Sequence, residues 1–260
     1  MSPTVPVVVP VLPASAVPTV TAAQMAEVDR SAIEGFGVTL LQMMEQAGLH
    51  LAEVARIELG GDLSGRRFVV VVGPGNNGGG GLVAARHIAN RGGAVRVVLA
   101  RPALRMSVAA QHQLATLIAM GADCCVATYD LPDAELEQLL RSADLIVDAV
   151  LGYRLQEAPH AEEGRLIELI VRSGRDVVSL DLPSGVDPDS GTAPGAAITA
   201  TATLTLALPK PGLFRGEGRR LAGRMYLGDL GLPEALYTGL GISVGTPFSS
   251  GALVLLDRDA

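Results

Sequence analysis

The stretch FVVVVGPGNNGGGG, residues 68–81, decides the fold class of this 260-residue chain. Its first five residues form a continuously apolar run, which is typical of a strand buried on both faces of a sheet. The last nine residues contain six glycines and two asparagines, and a helix is predicted after them from about Leu82 to Arg91. Glycine lets the backbone approach a ligand closely, and the following helix offers free N–H groups to an anion. The stretch therefore predicts a strand, a phosphate-binding loop and a helix.

The alternation of strand patterns and helical patterns continues along the chain. Thr21 and Gln24 have the spacing of a capping box at the start of one helix, and a second helix is predicted at 39–59. Strands are predicted at 95–99, 124–127, 145–147, 177–180, 200–208 and 224–227, with helices at 108–120, 134–142 and 164–173. Such alternation is typical of an α/β fold with a parallel sheet between helices. Ligands bind such sheets beyond the carboxyl ends of the strands, so functional residues are expected there.

The length suits one large α/β domain or two small ones. No repeat and no linker rich enough to split the chain is seen, so one domain is expected at 20–232, with an extended or disordered proline-rich tail at 1–19 and a C-terminal tail at 233–260. The apolar start is broken by prolines and has no Lys or Arg before it, so it fits neither a signal peptide nor a membrane helix. The adjacent Cys124 and Cys125 make no disulfide framework, and a reducing, cytoplasmic location is expected. The net charge of -7 argues against nucleic acid or an anionic membrane as a partner.

The glycine spacing alone does not identify the ligand. Gly73, Gly75 and Gly78 match the dinucleotide fingerprint, but the acidic residue expected about 20 positions later is missing. The second strand ends at Arg101 instead, which disfavours an ordinary NAD-dependent oxidoreductase. No Lys-Ser or Lys-Thr pair follows the glycines, so a Walker-type phosphate loop is excluded as well.

Two carboxylates are predicted at the tips of buried strands, Asp148 and Asp181. A carboxylate held rigidly among apolar neighbours at the edge of a ligand crevice suits general acid–base catalysis. Asp187 is followed by Pro188 and Asp189, and it is interpreted as a residue that closes a turn.

Three oxygen-bearing side chains, Asn77, Asp148 and Ser184, lie on loops expected to be neighbours. Such hard donors suit a hard cation rather than zinc, and a single charge among them favours a monovalent ion. The four histidines are scattered, His87 is interpreted as a packing residue, and no Cys/His set has zinc-ligand spacing.

Four segments together resemble the YjeF amino-terminal domain family, the NAD(P)H-hydrate epimerases. VGPGNNGGGGLVAARH at 72–87 is similar to the signature loop of the family, and DLPSG at 181–185 is similar to its Asp-Ile-Pro-Ser-Gly motif. ALPKPGL at 207–213 and MEQAG at 44–48 match two further family segments. The resemblance runs from about residue 20 to residue 231.

The resemblance implies a Rossmann-like three-layer α/β/α sandwich and an enzyme that interconverts the R and S forms of C6-hydrated NADH and NADPH. Asp181 is implied as the catalytic acid/base, and Asn77, Asp148 and Ser184 as ligands of a potassium ion. A homodimer is implied, working with a separate dehydratase because no second domain is predicted after residue 232. The implied substrate contacts are Asn76, Asn77, Gly78, Gly79, Gly80, Gly152, Tyr153, Arg154, Leu155, Gln156, Glu157, Ala158 and Asp181.

The chain also departs from the family pattern. Relatives usually have Asp at the position of Gly80 and Asn at that of Gln46, and their Gly-Thr-Gly type of loop reads Gly152-Tyr153-Arg154 here. Two alternatives therefore stay open: a non-catalytic protein of the same fold that binds a nucleotide or a partner, and a different enzyme acting on a nucleotide. Asp181 and Asn77 are retained, which favours the epimerase.

Overall fold

The computed structural model describes residues 9–155 and 157–259, and its central element is a single nine-stranded sheet. The strands lie in the order β1-β9-β8-β7-β6-β5-β2-β3-β4, and all neighbours are parallel except β8 and β9. The mostly parallel sheet predicted from the sequence is therefore confirmed. The strands are β1 (Val11–Pro13), β2 (Arg67–Val72), β3 (Ala94–Leu99), β4 (Asp123–Val126), β5 (Leu145–Ala149), β6 (Val177–Leu180), β7 (Ala202–Leu206), β8 (Arg224–Gly228) and β9 (Leu253–Asp257).

Helices cover both faces of the sheet, so the domain has three layers. They are α1 (Ala22–Phe36), α2 (Leu40–Glu58), α3 (Asn76–Asn90), α4 (Val108–Ala119), α5 (Ala127–Asp130), α6 (Asp133–Ser142), α7 (Ala161–Ser173), α8 (Gly216–Leu221) and α9 (Glu234–Gly239). The two long helices between β1 and β2 begin at capping boxes, formed by Thr21 with Gln24 and by Thr39 with Gln42. In the part of the chain that is described, no helix is both long and apolar enough to cross a bilayer.

The strand β2 shows how the two apolar cores arise from one sequence run. Its side chains alternate between the two faces of the sheet, so Val70 and Val72 pack in the core that includes α2 and α3. Val69 and Val71 pack in the second core, against α6 and α7. A strand with a core on each side needs apolar residues at every position, which explains the unbroken run of valines.

The glycine-rich stretch is helical over a longer range than predicted. The helix α3 begins at Asn76, so Gly78 to Gly81 lie in its first turns, whereas the sequence placed them in a loop before Leu82. Packing overrides the low helix propensity of glycine here, because α3 lies directly against β2 and β5. A Cβ atom at Gly81 would lie 2.5 Å from the Cβ of Ala149.

Both terminal segments contribute strands to the sheet. The strand β9 lies within the predicted C-terminal tail and pairs antiparallel with β8, and β1 lies within the proline-rich start and pairs parallel with β9. Burial of Val254 and Leu256 against the domain explains this pairing. The run 253–257 follows a weakly patterned, glycine-containing stretch, and it was not predicted as a strand.

Gly48→Ala is expected to lower the free energy of unfolding by about 1–3 kcal/mol, because overpacking is costly where two helices touch. A Cβ atom at Gly48 would lie 2.4 Å from the Cβ of Val83 and 2.8 Å from the backbone nitrogen of Ala84. In the control Gly35→Ala, the new methyl group meets nothing within 4 Å, and a gain of up to about 1 kcal/mol in helix propensity is expected. Urea denaturation of both variants measures the difference. Equal stability of the two variants would contradict this packing.

Candidate active site

A cavity of about 720 Å³ lies at the carboxyl ends of β2, β5, β6 and β7, beneath α1 and α2. Its volume is in the range of small-molecule sites, and its place is the one where parallel sheets bind their ligands. One wall is apolar and includes Met25, Met43 and Met44. Polar and charged groups line the remainder, including Asn76, Asn77, Asp29, Arg154, Asp181 and Lys210.

Asp181 follows β6 directly and lies in the cavity wall with 3% of its surface exposed. Its φ angle is 68°, and the N–H of Leu182 donates to the carbonyl of Leu180 at 2.9 Å, which closes a γ-turn around it. The N–H of Asp181 also donates to the carbonyl of Leu204 at 2.7 Å. A positive φ at a residue other than glycine costs about 1–3 kcal/mol and persists only where neighbouring contacts enforce it. The strained turn therefore holds this carboxylate at a defined place in the wall.

The carboxylate of Asp181 has a charged partner that was not predicted from the sequence. The Nζ atom of Lys210 donates to Oδ1, and the N–H of Tyr153 donates to Oδ2 at 3.1 Å. The expected apolar surroundings are thus wrong in one respect, because a buried ion pair stands there. Lys210 belongs to the Pro-Lys-Pro segment of the resemblance, which was the available signal.

Asp148 is placed differently from Asp181, although both end apolar runs. It lies inside β5, is fully buried and is not part of the cavity wall. Its oxygens accept from Ser184 Oγ at 2.6 Å, Ser179 Oγ at 2.7 Å, and the N–H groups of Ser184 at 2.9 Å and Val150 at 3.2 Å. Desolvation raises the pKa of Asp148, and these hydrogen bonds oppose the shift. This carboxylate braces the loops behind the wall.

Asn77, Asp148 and Ser184 converge through the backbone of Leu151. The side-chain amide of Asn77 donates to the Leu151 carbonyl at 3.0 Å, and the Leu151 N–H donates to Ser184 Oγ at 2.8 Å. The donor set contains one carboxylate together with neutral hydroxyl, amide and carbonyl oxygens, which suits a hard monovalent cation. Over the described ranges, no group of three or more His, Cys, Asp or Glu side chains could hold a metal ion.

The loop after β5 carries Tyr153 into the centre of the cavity wall. Its hydroxyl donates to Asp29 Oδ2 at 2.6 Å, and the Arg154 guanidinium lies 5.6 Å from the ring centroid. Burial raises the pKa of the Asp29 carboxyl, and the hydrogen bond from Tyr153 partly opposes this shift. Asp29 comes from α1 and was not predicted as a site residue, because nothing in its local sequence distinguishes it from an exposed helix residue.

Most of the implied substrate contacts lie in the cavity wall, and some do not. Gly78 and Gly79 are buried within α3 and do not line the cavity. Gln156 lies outside the described residues. The wall includes Asn76, Asn77, Gly80, Gly152, Tyr153, Arg154, Leu155, Glu157, Ala158 and Asp181.

Packing explains the departure at position 80. A Cβ atom there would lie 2.7 Å from Cδ2 of Leu180, so Leu180 takes up the space that a side chain at position 80 would need. The pair Gly80 and Leu180 therefore fills this part of the wall with an apolar group instead of a carboxylate.

A mostly parallel sheet with a glycine-led helix and a ligand-sized cavity at its carboxyl edge defines a Rossmann-like α/β protein. Residues 40–212 match the family model described as "YjeF-related protein N-terminus". The chain belongs to this family.

Named relatives agree with this assignment. The chain is 42% identical over 243 residues to the NAD(P)H-hydrate epimerase of Dehalogenimonas lykanthroporepellens, covering 93% of this chain and 94% of the relative. It is 38% identical over 218 residues to the bifunctional NAD(P)H-hydrate repair enzyme Nnr of Moorella thermoacetica, and the match covers 84% of this chain and 41% of that protein. The crystal structure of yeast ynu0 has the same fold, with a TM-score of 0.77 at 23% identity over 92% of this chain and 100% of the yeast chain.

Proposed function

We propose that this protein is an NAD(P)H-hydrate epimerase, an isomerase that interconverts the R and S forms of C6-hydrated NADH and NADPH. The observation that carries the proposal is Asp181, a carboxylate fixed by a strained turn in the wall of a ligand-sized cavity. The near full-length similarity to a relative with that name supports the substrate class. The function belongs to the repair of damaged nicotinamide cofactors.

The reaction needs proton transfer and no redox change. Protonation of the C6 hydroxyl lets it leave as water, while the lone pair of the ring nitrogen forms a double bond to C6. Water then adds to the opposite face of the ring and gives up a proton. An acid/base group placed beside C6 accelerates both steps, and general acid–base catalysis contributes about 10²- to 10⁴-fold to rates. Asp181 is proposed to take part in this proton transfer.

The amino end of α3 is the proposed site for the phosphates of the substrate. The helices α1 and α2 have threonine side chains at their N-caps, whereas the N-cap of α3 is Gly75, which has no side chain to occupy the first N–H groups. Such a helix end attracts anions through its free N–H groups and its dipole. Arg154 adds a positive charge to the same cavity.

We also propose a potassium ion held by Asn77, Asp148 and Ser184. When bound, the ion would neutralise the buried Asp148 charge and hold the loops after β5 and β6 together. Replacing KCl by NaCl at constant ionic strength is therefore expected to lower the turnover rate, and Ser184→Ala is expected to remove the difference between the two salts. Initial rates in both salts measure the effect. Equal wild-type rates in KCl and NaCl would contradict the potassium site.

A coupled assay tests the function. The purified protein is mixed with R-hydrate and a dehydratase that acts only on the S form, and NADH formation is followed by absorbance. We expect the R-hydrate to be repaired only when the protein is present. Nucleotide binding without repair would instead support the alternative, a non-catalytic protein of the same fold, which the apolar filling at Gly80 and Leu180 favours.

The proposed setting is the cytoplasm, where a homodimer would act beside a separate dehydratase. The proposed association with a dehydratase is supported by the bifunctional repair enzymes, of which this chain matches about two fifths of the length. Light scattering of the purified protein measures its mass, and a mass of one chain would contradict the dimer.

A further inference from the structure

Lys210 is the single lysine among the twenty lysine and arginine residues of the chain. Its side chain is 1% exposed and lines the cavity. Arginine stays protonated in proteins, whereas lysine can lose its proton when its surroundings require it. All the remaining Lys and Arg positions are arginine, and the one lysine is the residue whose cation contacts the candidate catalytic carboxylate of Asp181.

The backbone around Lys210 is built to hold this contact. Within the described ranges, Asp181 and Ala207 are the residues other than glycine with positive φ, at 68° and 59°. The N–H of Leu208 donates to the Leu206 carbonyl at 2.7 Å across Ala207, which makes a second γ-turn. The same carbonyl accepts from Lys210 Nζ at 3.2 Å. One strained turn therefore positions the carboxylate, and the other positions the ammonium group.

The charged and titratable groups around the pair lie on α1 and on the segment between β5 and α7. Tyr153, from the loop after β5, presents its ring face to Lys210 with the Nζ atom 5.8 Å from the centroid. Asp29 on α1 accepts from the Tyr153 hydroxyl, and the Arg154 guanidinium lies 5.6 Å from the centroid of the same ring. Glu157 and His160 line the cavity beyond them.

We propose that Lys210 is the general acid and Asp181 the general base of the epimerisation, an inference that rests on the proposed function. A proton passes from Lys210 Nζ to the C6 hydroxyl, the C6–O bond breaks, and water leaves as the ring nitrogen forms a double bond to C6. Water adds to the opposite face and loses its proton to the Asp181 carboxylate. That proton returns from Asp181 to the neutral amine of Lys210 across their direct hydrogen bond. The pair is thereby restored, and protons and electrons balance over one turnover.

The Lys210→Arg variant tests whether residue 210 acts by donating a proton or only by pairing its positive charge with Asp181. Arginine preserves the positive charge but keeps its protons, so turnover is expected to fall by about 10²- to 10⁴-fold with KM changed by less than about threefold. In Lys210→Ala, ethylamine is expected to restore part of the rate, whereas the same concentration of ethylguanidinium is not. A Lys210→Arg variant with turnover within about tenfold of wild type, or equal rescue by both cations, would overturn the assignment.

If these variants do not fold, a measurement on the unaltered protein tests whether Lys210 is the general acid. Since Lys210 is the only lysine, protein labelled with [ε-¹³C]lysine gives one side-chain NMR signal. Its titration midpoint is expected to coincide with the alkaline limb of the kcat/KM profile. A signal that stays protonated throughout that limb overturns the role of Lys210. Wild-type protein that does not interconvert the hydrates overturns the proposed function instead.

Discussion

Replacing Asp181 by asparagine is expected to lower the turnover rate of epimerisation by about 10²- to 10⁴-fold. Asparagine has nearly the same shape, tolerates a positive φ, and its carbonyl oxygen can still accept from Lys210, whereas its NH2 group faces the Tyr153 N–H and cannot accept from it. It cannot take up the proton of the incoming water. The loss should therefore appear in kcat, while KM and the circular dichroism spectrum change little.

A control for this substitution lies at the other end of β6. Asp176 precedes β6 at the opposite edge of the sheet and is exposed, with its carboxylate accepting from Thr201. Asp176→Asn makes the same chemical change far from the cavity, and its turnover is expected to equal that of wild type. An Asp181→Asn variant as active as Asp176→Asn would remove Asp181 from the mechanism.

The second large effect is expected at Gly78, where alanine should destabilise the fold by about 3 kcal/mol or more. A Cβ atom at Gly78 would lie 2.0 Å from the carbonyl oxygen of Gly73. Gly73 cannot move away from this contact, because its backbone packs closely against Val150. A Cβ atom built on Gly73 would lie 1.9 Å from the Val150 carbonyl oxygen. The start of α3 would have to move away from β2, so nucleotide binding should weaken as well.

Gly75→Ala is the matched control for stability. It lies in the same loop, has φ of −86° and meets nothing within 4 Å of an added Cβ. Its cost is expected to stay below about 1 kcal/mol, the usual difference between glycine and alanine at an N-cap. Denaturant titrations of both variants, with calorimetry of nucleotide binding, measure the contrast. Similar stabilities of Gly78→Ala and Gly75→Ala would show that α3 does not depend on this close approach.

The layered α/β fold was predictable because its periodic patterns are local. The valine run of β2 and the threonine caps of α1 and α2 can be recognised within a few residues of sequence. The start of α3 was predicted six residues too late, because helical glycines are explained only by the strands against which they pack. The strand β9 was missed for a similar reason, since its partner β8 lies far earlier in the chain.

The site was predictable where residues follow strands and unpredictable where distant segments meet. Asp181 and Asn77 lie in the cavity wall as expected from their positions after β6 and β2. Asp29 joins the site through a contact with Tyr153 across 124 residues, and Lys210 meets Asp181 across 29 residues. Contacts between such distant residues cannot be predicted from a local sequence pattern. The sequence also could not distinguish Asp181, which lines the cavity, from Asp148, which lies behind its wall, since both follow similar apolar runs.

The most direct test of the epimerase activity is to incubate pure R-hydrate with the protein in H₂¹⁸O, without a dehydratase, and to separate the two forms by chromatography with mass detection. We expect S-hydrate to accumulate at a rate well above that of the spontaneous reaction and to carry ¹⁸O at C6, because the hydroxyl leaves and water returns. R-hydrate that stays unchanged beyond the spontaneous rate would contradict the epimerase. S-hydrate formed without ¹⁸O would contradict the proton-transfer chemistry assigned to Asp181 and its cavity.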